Sequence, residues 1–347
     1  MTKKVLKKFI VFALLLLMLY FLKGNITGFT LFEVQDENNI DIVEEEIPTP
    51  SLFFCPKDNC EGELYNFIDS AETSVHCALF DLDLVNIISL LDKKSKEIDV
   101  KLFVDNTNYE EIEENYKTVD FVKQDNNNQL SHNKFCIIDN KKISTGSMNP
   151  TERGAFFNNN NLILIESTYL AQNYEEEFQE LWNGYFGKSN KDKQTKVKYP
   201  KLNLSNHIYE NYFCPDDSCE EHVLEILNNA QTSINFMIFS FTSDPIGDLL
   251  VEKHNLGIEV TGVVEKTQNT NQYSEYKKLN DAGIDITYDT NKYNMHHKVF
   301  IIDESIVITG SYNPTASGTD KNDENILIIH DPEIAFQYTE EFNQLRG

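Results

Sequence analysis

From Phe53 onward, apolar runs of strand length alternate with stretches whose apolar residues recur every three or four positions, the pattern of a chain that lays helices against a sheet. It predicts helix over Glu61 to Ala71, strand over Ser74 to Asp81, helix over Leu84 to Lys96 and strand over Ile98 to Asp105. A third helical stretch, Tyr109 to Tyr116, leads to strand Val119 to Lys123, strand Asn133 to Ile138 with a partner at Ile143 to Thr145, strand Leu162 to Ile165 and helix Tyr169 to Trp182. The order is then replayed: helix Glu220 to Ala230, strand Ser233 to Phe241, helix Pro245 to His254, strand Ile258 to Glu265, helix Gln272 to Ala282, strands Val299 to Ile302 and Ile326 to Ile329, helix Glu333 to Leu345. The fold class is α/β. A repeat of this length is a duplicated domain and far too long for a solenoid unit, so the chain divides into a first repeat over 51–187, a linker over 188–207 and a second repeat over 208–347.

The N-terminus departs from this pattern. Lys3, Lys4, Lys7 and Lys8 precede an unbroken apolar run from Phe9 to Leu22, closed by Lys23, and no small-x-small cleavage site follows. Residues 1–28 therefore read as a signal anchor, with a cleaved signal peptide as the alternative, and the basic flank places the bulk of the chain outside the cytoplasm. Residues 29–50 are acidic and end in Pro-Thr-Pro, as expected of a solvated spacer. Without its first 23 residues, which hold five lysines and no acid, the formal charge moves from −26 to −31. Such a surface repels polyanions at long range and weighs against nucleic acid, where affinity comes from neutralised phosphates. The linker is the exception, with Lys188, Lys191, Lys193, Lys196, Lys198 and Lys201 against Asp192 alone.

Cys55 and Cys60 recur as Cys214 and Cys219, each pair in a Cys-Pro-x-Asp-x-Cys-Glu setting. In an exported chain two matched pairs predict the disulfides Cys55–Cys60 and Cys214–Cys219, with a four-cysteine zinc site as the rival. Cys77 and Cys136 fall in apolar strands and read as buried thiols.

The chemistry is also carried twice. His132, Lys134, Asp139, Gly146, Ser147 and Asn149 reappear 164 positions later as His296, Lys298, Asp303, Gly310, Ser311 and Asn313. Strand alternation turns the histidine and lysine of each copy to one face, whereas Asp139 and Asp303, an odd number of residues on, face away and are expected to anchor structure. His297 should pack behind its strand. Two imidazoles, two ammonium groups and the Ser147/Asn149 and Ser311/Asn313 pairs suit an oxyanion with several oxygens. One imidazole can attack phosphorus while the other protonates the leaving oxygen, without a metal or other cofactor.

These residues resemble the phospholipase D superfamily, whose signature His-x-Lys-x4-Asp-x6-Gly-Ser-x-Asn is matched at every fixed position in both copies. The resemblance spans nearly all of residues 51–347. It implies two pseudo-symmetric α/β lobes with mixed central sheets and one active site between them. The superfamily includes phospholipases, phospholipid synthases, nucleases and a DNA-repair phosphodiesterase, so the motif does not fix the substrate.

The copies differ where the second has Asn322-Asp323-Glu324-Asn325 and the first Asn158-Asn159-Asn160-Asn161. If each element backs the histidine of its own repeat, Glu324 keeps His296 protonated and Asn160 merely orients a neutral His132. His132 is then the nucleophile and His296 the general acid, an assignment the resemblance also implies. The expected activity is that of a membrane-anchored extracytoplasmic phosphodiesterase acting on phospholipid through a phosphohistidine. A metal-independent endonuclease acting on DNA or RNA is the first alternative and a phosphatidyltransferase of cardiolipin-synthase type the second. The expected partners are that phosphodiester substrate and the membrane, with no obligate protein partner.

Overall fold

In the computed structural model the described residues are 42–109, 121–126, 128–188 and 195–347. The expected membrane segment, most of the spacer and all but the start of the helix expected from Tyr109 lie outside them. Among the described residues no helix is long and apolar enough to cross a membrane.

The first repeat contributes seven strands: β2 (Ser51–Cys55), β3 (Ser74–Leu79), β4 (Asp99–Val104), β5 (Val122–Gln124), β6 (Lys134–Ile138), β7 (Lys142–Gly146) and β8 (Asn160–Glu166). They form one mixed sheet in the order β2-β8-β7-β6-β3-β4-β5. The second repeat supplies β10 (His207–Cys214), β11 (Ser233–Ile238), β12 (Glu259–Val264), β13 (Asp285–Tyr288), β14 (Lys298–Ile302), β15 (Ile306–Gly310) and β16 (Glu324–His330). These repeat the same order as β10-β16-β15-β14-β11-β12-β13. Two further strands, β1 (Val43–Glu45) and β9 (Lys201–Leu204), widen the second sheet to nine.

Both extra strands correct the sequence reading. Val43 to Glu45, placed in a solvated spacer, pairs in parallel with Leu202 to Leu204 of the expected linker. The Glu45 carboxylate also accepts from the Ser167 hydroxyl and from Thr168 N at 2.8 Å, at the start of the first repeat's long helix. β1 is the edge of the sheet, where the acidic Glu44 and Glu45 obscure the strand pattern, and β9 is paired on both sides, by β1 and β10. Lys201 is ion-paired with Glu210 at 3.1 Å, so the basic stretch is not uniformly free.

Helices α1 (Cys60–Asp69) and α2 (Val85–Lys94) pack against the first sheet, with short α3 (Glu152–Phe156) and long α4 (Thr168–Trp182) following. Their counterparts are α5 (Cys219–Asn228), α6 (Asp244–Asn255) with α7 (Tyr276–Asp281), α8 (Ala316–Asp320) and α9 (Pro332–Arg346). One central cluster draws on both repeats: Tyr174 and Phe178 of α4 and Tyr338 and Phe342 of α9 join Phe135, Phe213 and Val299 from the two sheets. Fully burying each such side chain is worth about 1.5–3 kcal/mol, so the shared helix layer fixes the sheets to one another.

All six cysteines are paired. Cys55–Cys60 and Cys214–Cys219 form as expected, which removes the four-cysteine zinc alternative. Cys55 lies opposite Asn160 and Cys214 opposite Glu324 in their ladders, so each local disulfide braces the strand beside a residue of the site. Cys77 and Cys136, expected as free thiols, are also bonded. They face each other across β3 and β6, and the equivalent position of the second repeat holds Phe236 opposite Phe300. Because this bond closes a loop across 59 positions, replacing both cysteines with valine is expected to lower the unfolding free energy by about 2–4 kcal/mol. Denaturant titration under oxidising conditions measures it.

Candidate active site

The two motif strands meet in one cleft. His132, Asn149, His296 and Asn313 line a cavity of about 460 Å³, walled further by Phe80, Phe239, Asp81, Asp83 and Arg153. The chain approaching each histidine is bonded to the other repeat. His132 N donates to Asp323 O at 2.9 Å and Asp323 N to Leu130 O at 3.0 Å, while His296 N donates to Asn159 O at 2.8 Å and Asn159 N to Asn294 O at 3.0 Å.

This exchange overturns the pairing expected from sequence. Glu324 reaches across to the first repeat, its Oε2 lying 2.7 Å from His132 Nδ1. Asn160 reaches the other way, its Oδ1 lying 3.0 Å from His296 Nδ1, which is also 3.0 Å from Ser147 O. The carboxylate therefore stands behind His132. A proton shared between Nδ1 and Oε2 leaves Nε2 free whenever it resides on the ring. His296 has two neutral acceptors at Nδ1, which fix Nδ1–H and aim Nε2 at the cleft.

Lys134 and Lys298 are buried, and each Nζ donates to the carbonyl of its own histidine at 2.6 Å. Phe80 packs edge-on to His132 with centroids 5.0 Å apart and lies under Lys134 Nζ at 5.3 Å. Phe239 repeats this with His296 at 4.6 Å and Lys298 at 4.9 Å. The sequence reading missed both rings, although each directly follows an apolar strand, β3 or β11.

Burial, then Lys134 and Lys298, pushes the His132 imidazole well below its ordinary range; burial, Lys298, Lys134 and His132 do the same to His296. Burial pulls Lys134 down to about 7 against the opposing fields of Glu324, Asp81 and Asp105, and burial together with Lys134 depresses Lys298. Burial also pushes Glu324 up to about 8, against the pull of both lysines. Burial thus works against the charged forms of the two histidines and two lysines, and the negative charge of a phosphodiester would favour them. A neutral His132 is retained below neutrality, whereas ammonium on Lys134 is lost as pH rises through about 7. Consequently kcat/KM, which reports the free enzyme, is expected to fall on the alkaline side of neutrality. A pH–rate profile with a small phosphodiester checks this; a rate still rising at pH 9 contradicts it.

The other motif residues separate by role. Gly146 and Gly310 have φ of 129° and 134°, and a Cβ there would lie 2.4 and 2.3 Å from the carbonyls of Asn161 and Asn325. Ser147 and Ser311, expected to hold phosphate, are instead fully buried: Ser147 Oγ donates to Asn161 Oδ1 at 2.9 Å, and Ser311 Oγ accepts from Asn325 N at 2.9 Å. Asn149 and Asn313 do line the cleft; each Oδ1 is buried without a partner. Asp139 accepts from Thr73 N at 2.7 Å and Ser74 N at 2.9 Å, and Asp303 accepts from Thr232 N at 2.7 Å and Ser233 N at 3.0 Å, away from the cleft. His297 is buried with Nδ1 3.2 Å from Asn161 Oδ1. Among the described residues no group of three or more His, Cys, Asp or Glu side chains is arranged to hold a metal ion.

The family described as "Cardiolipin synthase, PLD-like domain" matches residues 64–182 and 223–346, and the chain belongs to it. A mitochondrial cardiolipin hydrolase of Chlamydomonas reinhardtii is 32% identical over 122 residues, covering 35% of this chain and 55% of that protein. A phospholipase D of Rickettsia prowazekii is 28% identical over 177 residues, 51% of this chain and 82% of the relative. The crystal structure of the phosphatidylserine synthase of Haemophilus influenzae superposes over 85% of this chain and 86% of its own, with a TM-score of 0.66 and 13% identity, a likeness of fold.

Proposed function

We propose that this protein is a phosphodiesterase of phospholipase D type that hydrolyses phospholipid outside the cytoplasm, tethered by its N-terminal segment. The observation that carries the reading is the convergence of both His-x-Lys strands on one cleft, with Glu324 behind one imidazole and Asn160 behind the other. Lys134, Lys298, Asn149 and Asn313 receive the phosphoryl oxygens. The negative charge of the bound phosphodiester offsets Lys134 and Lys298 and lets His296 take up a proton at Nε2. His132 Nε2 then attacks phosphorus, the P–O bond to the alcohol breaks, and the His296 imidazolium gives that oxygen its Nε2 proton. The Glu324 carboxylate, facing Nδ1–H at 2.7 Å, balances the positive charge that forms on the phosphohistidine. His296, now neutral, takes a proton from water, the hydroxide breaks the P–N bond, and both groups return to their starting states.

The kinship with proteins named cardiolipin hydrolase and phospholipase D supports a lipid substrate, and the net charge of −26 weighs against a polyanion. Three disulfides among six cysteines support an oxidising compartment. The test is to pretreat the protein with EDTA and offer phosphatidylcholine, phosphatidylglycerol, single-stranded DNA and RNA in parallel. Release of lipid headgroup without nicking is expected. Nicking alone contradicts the substrate, transfer to an added alcohol in place of hydrolysis supports the transferase alternative, and loss of all turnover with EDTA contradicts the metal-free chemistry.

A further inference from the structure

Beside each motif strand lies a buried acid that the reaction above does not use. Asp105, just after β4, is fully buried; its Oδ2 accepts from Ser131 N, the residue before His132, at 2.9 Å. Its Oδ1 is held by Thr107 N at 2.9 Å and by the Thr107 hydroxyl. Glu265, just after β12, repeats the arrangement: Oε2 accepts from Met295 N, the residue before His296, at 2.9 Å, and Oε1 accepts from Thr267 N at 2.8 Å and Thr267 Oγ1 at 2.7 Å. An aspartate in one repeat and a glutamate in the other reach the same amide despite differing by a methylene.

These clamps complete the backbone bonding at the approach to each histidine. The amides of His132 and His296 are taken by the opposite repeat, and the preceding amide, which points the other way, is taken by the acid. Twisting the strand by one residue would leave a buried donor unpaired, which costs about 1–3 kcal/mol.

We propose that Asp105 and Glu265 are positioning residues that fix the register of the two His-x-Lys strands, and that Asp105 also lends its negative charge to Lys134. Lys134 shares the site with His132, His296 and Lys298 of β14 and faces three carboxylates, Glu324 from β16, Asp81 after β3 and Asp105 after β4, all of which oppose its loss of a proton. The charges acting on Lys298 are those of Lys134 and Glu324, without Glu265. At the Asp81 position the second repeat has Ser240, also in the cleft wall. The two clamps therefore match in geometry and differ in electrostatics.

This inference rests on the proposed phosphodiesterase reading, and two assays keep them separate. With bis(p-nitrophenyl) phosphate, Asp105→Asn and Glu265→Gln are each expected to lower kcat about tenfold. Only Asp105→Asn should move the alkaline limb of kcat/KM, by about half a pH unit downward. Thr107→Val, which frees one oxygen of Asp105 and keeps its charge, should lower kcat with the limb in place; it also serves if Asp105→Asn does not fold. Calorimetric binding of inorganic phosphate between pH 6 and 9 needs no turnover, and Asp105→Asn should lose affinity at a lower pH than the unaltered protein or Glu265→Gln. Failure of hydrolysis with the phosphate result intact contradicts the activity and leaves the clamps standing. Wild-type kcat in both acid variants, or limbs that move equally or not at all in the Asp105 and Glu265 variants, overturns the inference.

Discussion

Replacing His132 with alanine is expected to lower kcat by about 10⁴-fold or more and to abolish the covalent phosphoenzyme, because it removes the carboxylate-backed imidazole that attacks phosphorus. His296→Ala should behave differently with a leaving group that needs no proton. With a p-nitrophenyl diester it should release about one equivalent of nitrophenol in a burst and then stall, since the group that activates water is gone. Rapid-quench measurements of the two variants check this. A burst from His132→Ala and none from His296→Ala would exchange the two roles.

The second large effect concerns Glu324. Because its carboxylate lies 2.7 Å from His132 Nδ1, Glu324→Gln removes the charge that balances the imidazolium and permits the wrong tautomer. A loss of about 10²–10⁴-fold in the rate of phosphoenzyme formation is expected, by analogy with a carboxylate behind a catalytic histidine. Asn160→Ala leaves Ser147 O as an acceptor for His296 Nδ1; it should cost about tenfold and act on hydrolysis of the intermediate. If Glu324 served its own repeat's histidine, Glu324→Gln would spare formation and slow hydrolysis. Single-turnover kinetics separate these outcomes.

The role of His132 is thus the same under either pairing, but the physical reason reverses. Local order along the chain favours Glu324 as the partner of His296, 28 residues away. Its partner is instead 192 residues away, because the strand ends at Ser131 and Met295 bridge to Asp323 and Asn159 of the opposite repeat. Nothing in hydrophobic periodicity records which of two like elements lies behind which strand. The duplication itself was legible, since seven strands recur in one order and the fixed motif positions recur at one spacing.

Other features were hidden for definite reasons. Cys77 and Cys136 stand in apolar runs far apart in sequence, and only the antiparallel register of β3 and β6 puts them opposite one another. Ser147 and Ser311 look like phosphate ligands because they precede Asn149 and Asn313, yet the glycine before each turns its hydroxyl inward to Asn161 or Asn325. Asp105 and Glu265 read as the polar ends of strands. Their contacts are to backbone amides, which carry no sequence signature.

The most direct test of the crossed site is to quench the protein during turnover of a labelled phosphodiester and map the labelled peptide. The label is expected on His132, at a level that falls sharply in Glu324→Gln and rises in Asn160→Ala as hydrolysis slows. Label on His296, or label on His132 that is indifferent to Glu324, would contradict the assignment of a carboxylate-backed nucleophile.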